Sequence, residues 1–296
     1  MKLAVKVERI NKIFNKKKVL DNLSLEIEKD KIYGLVGKNG AGKSTLLKII
    51  SCYYVKSSGN VKVFGEEPFE NEKILSQICF TSSDRILPSY LKIGEILNIL
   101  KEFYPSWDEE FRKELIKKFQ LDENKVFDEL SKGMKAMVNL IIGLASRAPL
   151  TIYDEPYSGL DPVYRELFYK ILLEDYERYP RTIIFSTHYL DEVSRLFEKL
   201  IIMDRGRVLL NEEMDSLREK SFYIKGERNT IEEIENNLNV INSEVYGNSK
   251  ILWVFQEIPN VLKEKITNKD LSIEPLGVQK LFVGLSFKGY SRQVIL

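Results

Sequence analysis

The sequence is poor in the residues that mark several common classes of protein. Among 296 residues there are two cysteines, Cys52 and Cys79, and one histidine. Two isolated cysteines form neither a disulfide framework nor a metal-binding CxxC pair, so we expect a reducing compartment. The 45 basic and 44 acidic residues nearly cancel. Because nucleic-acid binders usually carry a basic excess, we expect no nucleic-acid partner.

Long apolar runs are also missing from the sequence. The longest stretch without a charged residue is the eleven residues from Ala136 to Ser146, whereas a membrane-spanning helix needs roughly 20 apolar residues. The first ten residues lack the apolar segment of a secretory signal. The sequence therefore predicts a chain that does not cross a membrane by itself.

The sequence does contain alternating strand and helix patterns. Alternating apolar residues near Val5 and at 23–27 predict half-buried antiparallel strands, and the continuous apolar run at 32–36 predicts a strand buried on both faces. Short buried strands at 150–153 and 182–185 are each followed by helical spacing. This order predicts an α/β fold with a largely parallel sheet.

The pattern changes near Asn211, and we divide the chain there into residues 1–211 and 212–296. The second part reads β-α-β-β-α-β, with its second helix from Asn260 and a further helix from about Val278. That order predicts a small ferredoxin-like α+β domain. Its apolar residues suffice for a small core. Since it supplies no phosphate loop, base or metal cluster, we expect it to be dispensable for the chemistry.

A complete GxxxxGK[ST] pattern follows the predicted strand at 32–36 and precedes a helical segment. Glycines allow backbone N–H groups to surround a phosphate chain. Lys43 adds a positive charge for the β- and γ-phosphates, and the Ser44 hydroxyl ligates Mg²⁺. The pattern predicts a nucleoside triphosphate site whose binding residues are Gly37, Lys38, Asn39, Gly40, Ala41, Gly42, Lys43, Ser44 and Thr45.

Two adjacent carboxylates, Asp154 and Glu155, end the apolar strand that begins at Leu150. Because a strand delivers consecutive side chains to opposite faces, we expect the two to do different jobs. In phosphate-loop NTPases the first such aspartate holds Mg²⁺ through water. The next carboxylate can orient or deprotonate the attacking water, which predicts Glu155 as the catalytic base.

The segment Leu130-Ser131-Lys132-Gly133-Met134 precedes this strand, and here the sequence resembles the ATP-binding cassette family, whose signature is typically LSGGQ. The resemblance covers residues 2 to about 211. It implies a P-loop NTPase fold with an antiparallel β subdomain and a helical subdomain at about 84–147. It also implies that Ser131 and Gly133 close over the γ-phosphate bound by the opposite subunit.

Further family elements follow in the family's order. Asp161, in the segment Ser158-Gly-Leu-Asp161, resembles the D-loop aspartate at the nucleotide site. His188 resembles the switch histidine, whose neutral imidazole can bond a γ-phosphate oxygen. Phe14 aligns with the aromatic that stacks on adenine. The Q-loop glutamine is replaced by Ser83, which is too short for direct metal contact, so Asp84 or a water could substitute.

The resemblance implies an ATPase subunit that binds ATP and Mg²⁺ and dimerises with an identical or different cassette. It would drive a separately encoded membrane subunit from the cytoplasmic face of the cell membrane. The run from Phe103 to Glu110 and the appended C-terminal domain are similar to Gram-positive exporter subunits that handle drugs, antibiotics or small amphipathic peptides.

Other readings of the cassette remain open. They are a soluble ATPase acting on ribosomes or DNA, or a nucleotide-binding regulator without turnover. An intact Glu155 argues against the regulator.

Overall fold

The first layer of the fold is an antiparallel sheet. The computed structural model describes residues 2–82, 87–188, 190–258 and 271–291. In this sheet, strand β1 (Leu3–Phe14) pairs with β2 (Lys17–Glu28) and β4 (Ser58–Val63). Val5, Val7 and Ile10 of β1 are buried. The predicted antiparallel strands are therefore present.

The second layer is a six-stranded sheet with the order β5-β6-β7-β3-β8-β9, in which only β9 is antiparallel. Its strands are β3 (Ile32–Gly37), β5 (Ile78–Ser82), β6 (Leu150–Asp154), β7 (Thr182–Thr187), β8 (Lys199–Asp204) and β9 (Arg207–Glu213). Strands β3, β5, β6 and β7 are buried along their whole length. Burial on both faces explains their continuous apolar sequences and confirms the predicted α/β class.

Helices cover both faces of this sheet. Helix α1 shares one core with the antiparallel layer, while α5 and α6 pack in the core on the other face. The uncharged stretch Ala136–Ser146 of α5 is buried along its whole length. The helices of this part are α1 (Lys43–Ile50), α2 (Glu72–Leu75), α3 (Ile93–Lys101), α4 (Glu109–Lys118), α5 (Lys132–Ser146), α6 (Pro162–Arg178) and α7 (Leu190–Val193).

A second, fully antiparallel sheet follows, with the strand order β11-β12-β10-β13. That order is the one expected of a ferredoxin-like split βαβ unit. The helix predicted from Asn260 lies outside the described residues. The elements are α8 (Met214–Lys220), β10 (Ser221–Glu227), α9 (Arg228–Glu235), β11 (Val240–Tyr246), β12 (Ser249–Phe255), β13 (Ser272–Pro275) and α10 (Val278–Ser291).

The two faces of the C-terminal sheet are buried in different cores. Leu252 and Val254 of β12 pack with Phe222 in a small core that the C-terminal segment forms itself. Trp253, which points to the opposite face, belongs with Leu281 of α10 to the large core of the preceding part. The C-terminal segment is therefore packed onto the rest of the chain through α10.

None of the helices in the described ranges is both long enough and apolar enough to span a membrane.

Candidate active site

The phosphate loop connects β3 to α1, and two of its glycines are sterically required. A Cβ atom on Gly37 would lie 2.5 Å from the carbonyl oxygen of Met203 in β8. Gly42 has a φ of +102°, and its Cβ would lie 2.7 Å from Leu20. The loop can therefore pack closely against its neighbours and lead directly into α1.

Lys43 places a positive charge inside this loop. Its side chain is only 6% exposed, and its Nζ donates a hydrogen bond to the Gly37 carbonyl oxygen at 2.8 Å. Burial lowers the pKa of Lys43 below its ordinary value, although the carboxylates of Glu155 and Asp154 act in the opposite direction. A buried cation held beside carboxylates is well placed to bind phosphate.

A cleft of about 340 Å³ opens above the loop. It brings together most of the predicted binding residues and the predicted base, and adds Val19 from β2, which the sequence analysis did not identify. The lining residues are Val19, Asn39, Gly40, Ala41, Gly42, Lys43, Ser44, Thr45 and Glu155. Gly37 and Lys38 belong to the same loop but do not line the cleft.

Asp154, the last residue of β6, is 5% exposed and accepts hydrogen bonds from Ser186 of β7 and from Ser44. Burial raises its pKa above the ordinary range, while the two hydroxyl groups oppose that shift. Ser186 was not predicted from the sequence, because its role depends on the pairing of β6 with β7. Asp154 and Ser44 thus present adjacent oxygen ligands, and Ser44 lines the cleft.

This pair of oxygens fits Mg²⁺ rather than a metal held by protein ligands alone. Across residues 2–82, 87–188, 190–258 and 271–291, no group of three His, Cys, Asp or Glu side chains could hold a metal ion. Mg²⁺ usually takes one or two protein oxygens and completes its shell with water and substrate phosphates. Ser44 and Asp154 would hold it, and when bound it would neutralise negative charge on the phosphates.

The raised pKa of Asp154 predicts a stability effect. At neutral pH the Asp154 carboxylate is ionised, and its burial lowers the free energy of unfolding. As the pH falls through the raised native pKa toward the pKa of the unfolded chain, the carboxylate takes up a proton and this loss of stability is relieved. We therefore expect Asp154→Asn to raise the Tm of the nucleotide-free protein at pH 7.5, by about 2–4 °C per kcal/mol relieved. The gain should shrink toward pH 5.

Calorimetry across this pH range tests the expectation. Asp215→Asn is the matched control, because the Asp215 side chain is 88% exposed. A Tm for Asp154→Asn that is equal to or below that of the parent at pH 7.5 would show that the native site favours the ionised carboxylate.

Glu155 follows β6 in a left-handed conformation, with a φ of +48°. Its backbone N–H donates to Ser186 Oγ at 3.0 Å, and its Oε2 lies 3.2 Å from Nδ1 of His188. We expected strand alternation to separate Asp154 from Glu155. Instead the turn at Glu155 ends the pleat and directs its carboxylate into the cleft beside Asp154. A left-handed backbone at a non-glycine residue is uncommon, and here it sets the direction of the Glu155 side chain.

The signature segment lies at the start of α5, away from the cleft of its own chain. Ser131 caps α5, with its Oγ accepting from the Met134 N–H at 3.2 Å. A Cβ on Gly133 would lie 2.9 Å from the Gly159 carbonyl oxygen, so this position requires a small residue. Neither Ser131 nor Gly133 lines the cleft.

Asp161 also stands apart from the cleft. It caps α6, where its Oδ1 accepts from the backbone N–H of Val163 at 2.8 Å. At the far ends of the two helices, Arg147 Nη2 lies 2.9 Å from Asp175 Oδ1. Helices α5 and α6 are thus tied together at their far ends.

Phe14 lies at the tip of the β1–β2 hairpin and does not line the cleft, but it is part of an aromatic cluster. Its ring packs edge-on against Tyr54 at 5.5 Å between centroids, and Lys12 Nζ lies 4.5 Å from its centroid. Lys12 Nζ also donates to the Val55 carbonyl oxygen at 2.7 Å. The cluster holds Phe14 in place, and no local sequence signal identified Lys12 or Tyr54.

Replacing Phe14 tests its predicted contact with adenine. A lost ring stack of about 1 kcal/mol corresponds to a roughly fivefold higher Kd for ATP in Phe14→Ala. Titration calorimetry with ATP and with tripolyphosphate, which lacks adenosine, separates the contribution of the base to the affinity from that of the phosphates. We expect tripolyphosphate binding to be unchanged, and Tyr90→Ala, at another exposed ring, to match the parent. Equal weakening for both ligands would contradict the adenine contact.

Ser83 and Asp84, the predicted replacements for the Q-loop glutamine, lie outside the described residues.

The class of protein is a phosphate-loop nucleoside triphosphatase. It is defined by the glycine loop, the buried Lys43, the Asp154–Ser44 pair and the Glu155–His188 contact. The strand order and the capped helix at Ser131 agree with the cassette type of this class. Comparisons with known proteins reach the same conclusion. The sequence model described as ABC transporter matches residues 20–158.

Three similar proteins define the family more fully. An uncharacterized ABC transporter ATP-binding protein of Methanocaldococcus jannaschii is 30% identical over 271 residues, 90% of this chain and 96% of that protein. The lantibiotic transport ATP-binding protein SrtF of Streptococcus pyogenes is 30% identical over 71% of this chain and 91% of its own length. A solved ATP-binding subunit of an ABC transporter matches with a TM-score of 0.66 and 25% identity, covering 73% of this chain and 92% of that one.

The chain belongs to the ABC transporter family, as an ATP-hydrolysing ATP-binding subunit.

Proposed function

We propose that this subunit powers the export of drugs, antibiotics or small amphipathic peptides through a separately encoded membrane subunit. It would work at the cytoplasmic face of the cell membrane, with residues 1–211 as the nucleotide-binding domain and 212–296 as an accessory domain. The observation that carries the ATPase part of the proposal is the Glu155–His188 contact beside the phosphate loop. This arrangement supports hydrolysis, and not merely binding, of ATP.

The proposed chemistry assigns a separate role to each side chain. Lys43 and the loop N–H groups hold the β- and γ-phosphates of ATP. Glu155 orients the attacking water and accepts its proton as the water oxygen approaches the γ-phosphorus. His188, whose ring lies next to the Glu155 carboxylate, donates its one N–H to a γ-phosphate oxygen. The reaction needs no covalent intermediate, because positioning and electrostatics supply the rate enhancement.

Two copies are needed to complete each site. Ser131 and Gly133 are accessible at the start of α5 but do not line the cleft of their own chain. A second cassette, identical or different, would bring these residues over the γ-phosphate when ATP is bound. Hydrolysis would then separate the cassettes and drive the membrane subunit.

An apolar groove of about 670 Å³ suits the membrane subunit. It lies beside β5, and its lining includes Tyr53, Phe80 and Phe103. Phe103 is 62% exposed and Tyr53 is 57% exposed, so the groove presents aromatic surface to a partner. An amphipathic helix of the membrane subunit fits such a groove, since its apolar face would cover these rings.

The groove can be tested with charged substitutions. We expect Phe103→Asp to abolish co-purification with the membrane subunit while leaving the basal ATPase rate near that of the parent. Tyr90→Asp is the control, because Tyr90 is 79% exposed and lies outside the groove. Retained co-purification of Phe103→Asp would exclude the groove as the docking site.

The similarity to a lantibiotic transport ATP-binding protein supports the proposed substrate class, and the proposed direction can be tested in vesicles. Inverted membrane vesicles that contain the chain and its proposed membrane subunit should accumulate a labelled lantibiotic in the presence of ATP. Vesicles that carry Glu155→Gln should not. ATP-dependent accumulation by right-side-out vesicles alone would indicate import, and a chain with no membrane partner would favour the ribosome- or DNA-acting alternative.

A further inference from the structure

Helix α10 lies between the C-terminal sheet and the nucleotide-binding part of the chain. It contacts β11 and β12 on one side and α7 and β8 on the other. Leu281 of α10 is completely buried and shares a core with Leu190 and Val193 of α7. A Cβ on Gly284 would lie 2.7 Å from the side chain of Ile241, so the helix sits tightly on the sheet.

The far part of α10 reaches the phosphate loop. The ring centroid of Phe287 lies 5.2 Å from Nζ of Lys38, the second residue of the loop. Helix α7, which packs against α10, begins two residues after His188. The C-terminal segment therefore contacts both the start of the phosphate loop and the helix that follows His188, although the sequence assigned it no part in that site.

Phe287 has the character of a protein–protein contact. It is 57% exposed, despite its contact with Lys38, and it lies on a helix whose sequence contains no acidic residue. Asn39 and Gly40, the next residues of the loop, are exposed as well. Large aromatic side chains are enriched at the centres of interfaces, and an exposed one beside a functional loop is a candidate anchor.

We propose that Phe287 is a contact to a second copy of this chain, formed when two ATP-loaded copies close. The inference rests on the proposed function, in which Ser131 and Gly133 of one copy cover the phosphate loop of the other. A partner that covers this loop must also approach Lys38 at its start. Phe287, held beside Lys38 by the buried part of α10, would then be covered by the same partner.

The test measures ATP-driven dimerisation by sedimentation velocity in full-length chains that carry Glu155→Gln, which preserves bound ATP. Adding Phe287→Ala should raise the dimer Kd by about tenfold or more, and Phe287→Leu should restore part of the affinity. Affinity of the monomer for ATP should stay within about twofold, since the ring lies outside the cleft. Tyr246→Ala is the matched control, at a 62% exposed ring in β11.

The other outcomes distinguish failure of the Phe287 contact from failure of the ATP-bound dimer. An unchanged dimer Kd in Phe287→Ala would contradict the contact and leave the dimer intact. A lower dimer Kd would overturn the proposal and indicate that α10 opposes the closure of the two copies. If the Glu155→Gln parent binds ATP but remains monomeric, both the dimeric assembly and the Phe287 contact are contradicted.

Discussion

Glu155→Gln should lower the rate of ATP hydrolysis by about 10²–10⁴-fold while ATP still binds. The glutamine keeps the size and the hydrogen-bonding capacity of the side chain, but it cannot accept a proton from the attacking water. The contact with His188 Nδ1, 3.2 Å in the parent, can persist as a neutral hydrogen bond. Phosphate release and equilibrium ATP binding, measured on the same preparation, separate catalysis from affinity.

A matched control is Glu174→Gln, which changes a half-exposed carboxylate on α6 away from the cleft. It should hydrolyse ATP at the rate of the parent. A wild-type rate in Glu155→Gln would falsify the assignment of Glu155 as the base. Loss of ATP binding would show instead that the carboxylate supports the loop rather than the reaction.

Lys43→Ala should raise the Kd for ATP by about 10–100-fold, because a buried, charged hydrogen-bond donor to phosphate contributes about 1.5–3 kcal/mol. The variant also removes the Lys43 charge beside Asp154 and Glu155, so phosphate oxygens would face these carboxylates with less positive charge to offset the repulsion. Titration calorimetry measures the affinity directly, and hydrolysis should fall at ATP concentrations that saturate the parent.

Lys62→Ala is the control for charge, since Lys62 lies exposed on β4 and away from the cleft. It should bind ATP like the parent. Unchanged affinity in Lys43→Ala would mean that the backbone of the loop provides nearly all of the phosphate binding.

The parts of the site that could be predicted from the sequence are those set by local spacing. Gly37 through Ser44 lie between a strand and a helix, as their pattern requires, and Asp154 ends a strand that is buried on both faces. Such features depend on neighbouring residues and on the period of apolar side chains. The succession of strands and helices along the C-terminal segment, outside residues 259–270, follows from the same local patterns.

The parts that could not be predicted depend on tertiary pairing. Ser186 meets Asp154 only because β6 pairs with β7, and the positive φ of Glu155 has no signature in a single sequence. The C-terminal apolar residues indicate a core, but not that Trp253 faces a different core from Leu252. Contact between Phe287 and Lys38 joins the two ends of the chain, which no local pattern records.

The most direct test of the account is the structure of the Glu155→Gln chain bound to ATP and Mg²⁺. We predict a dimer in which Ser131 Oγ and the Gly133 N–H of each copy lie within hydrogen-bond distance of the γ-phosphate held by Lys43 of the other. A dimer whose signature segments lie far from both nucleotides would contradict the composite site. So would a monomer in which the ATP site is completed by residues of its own chain.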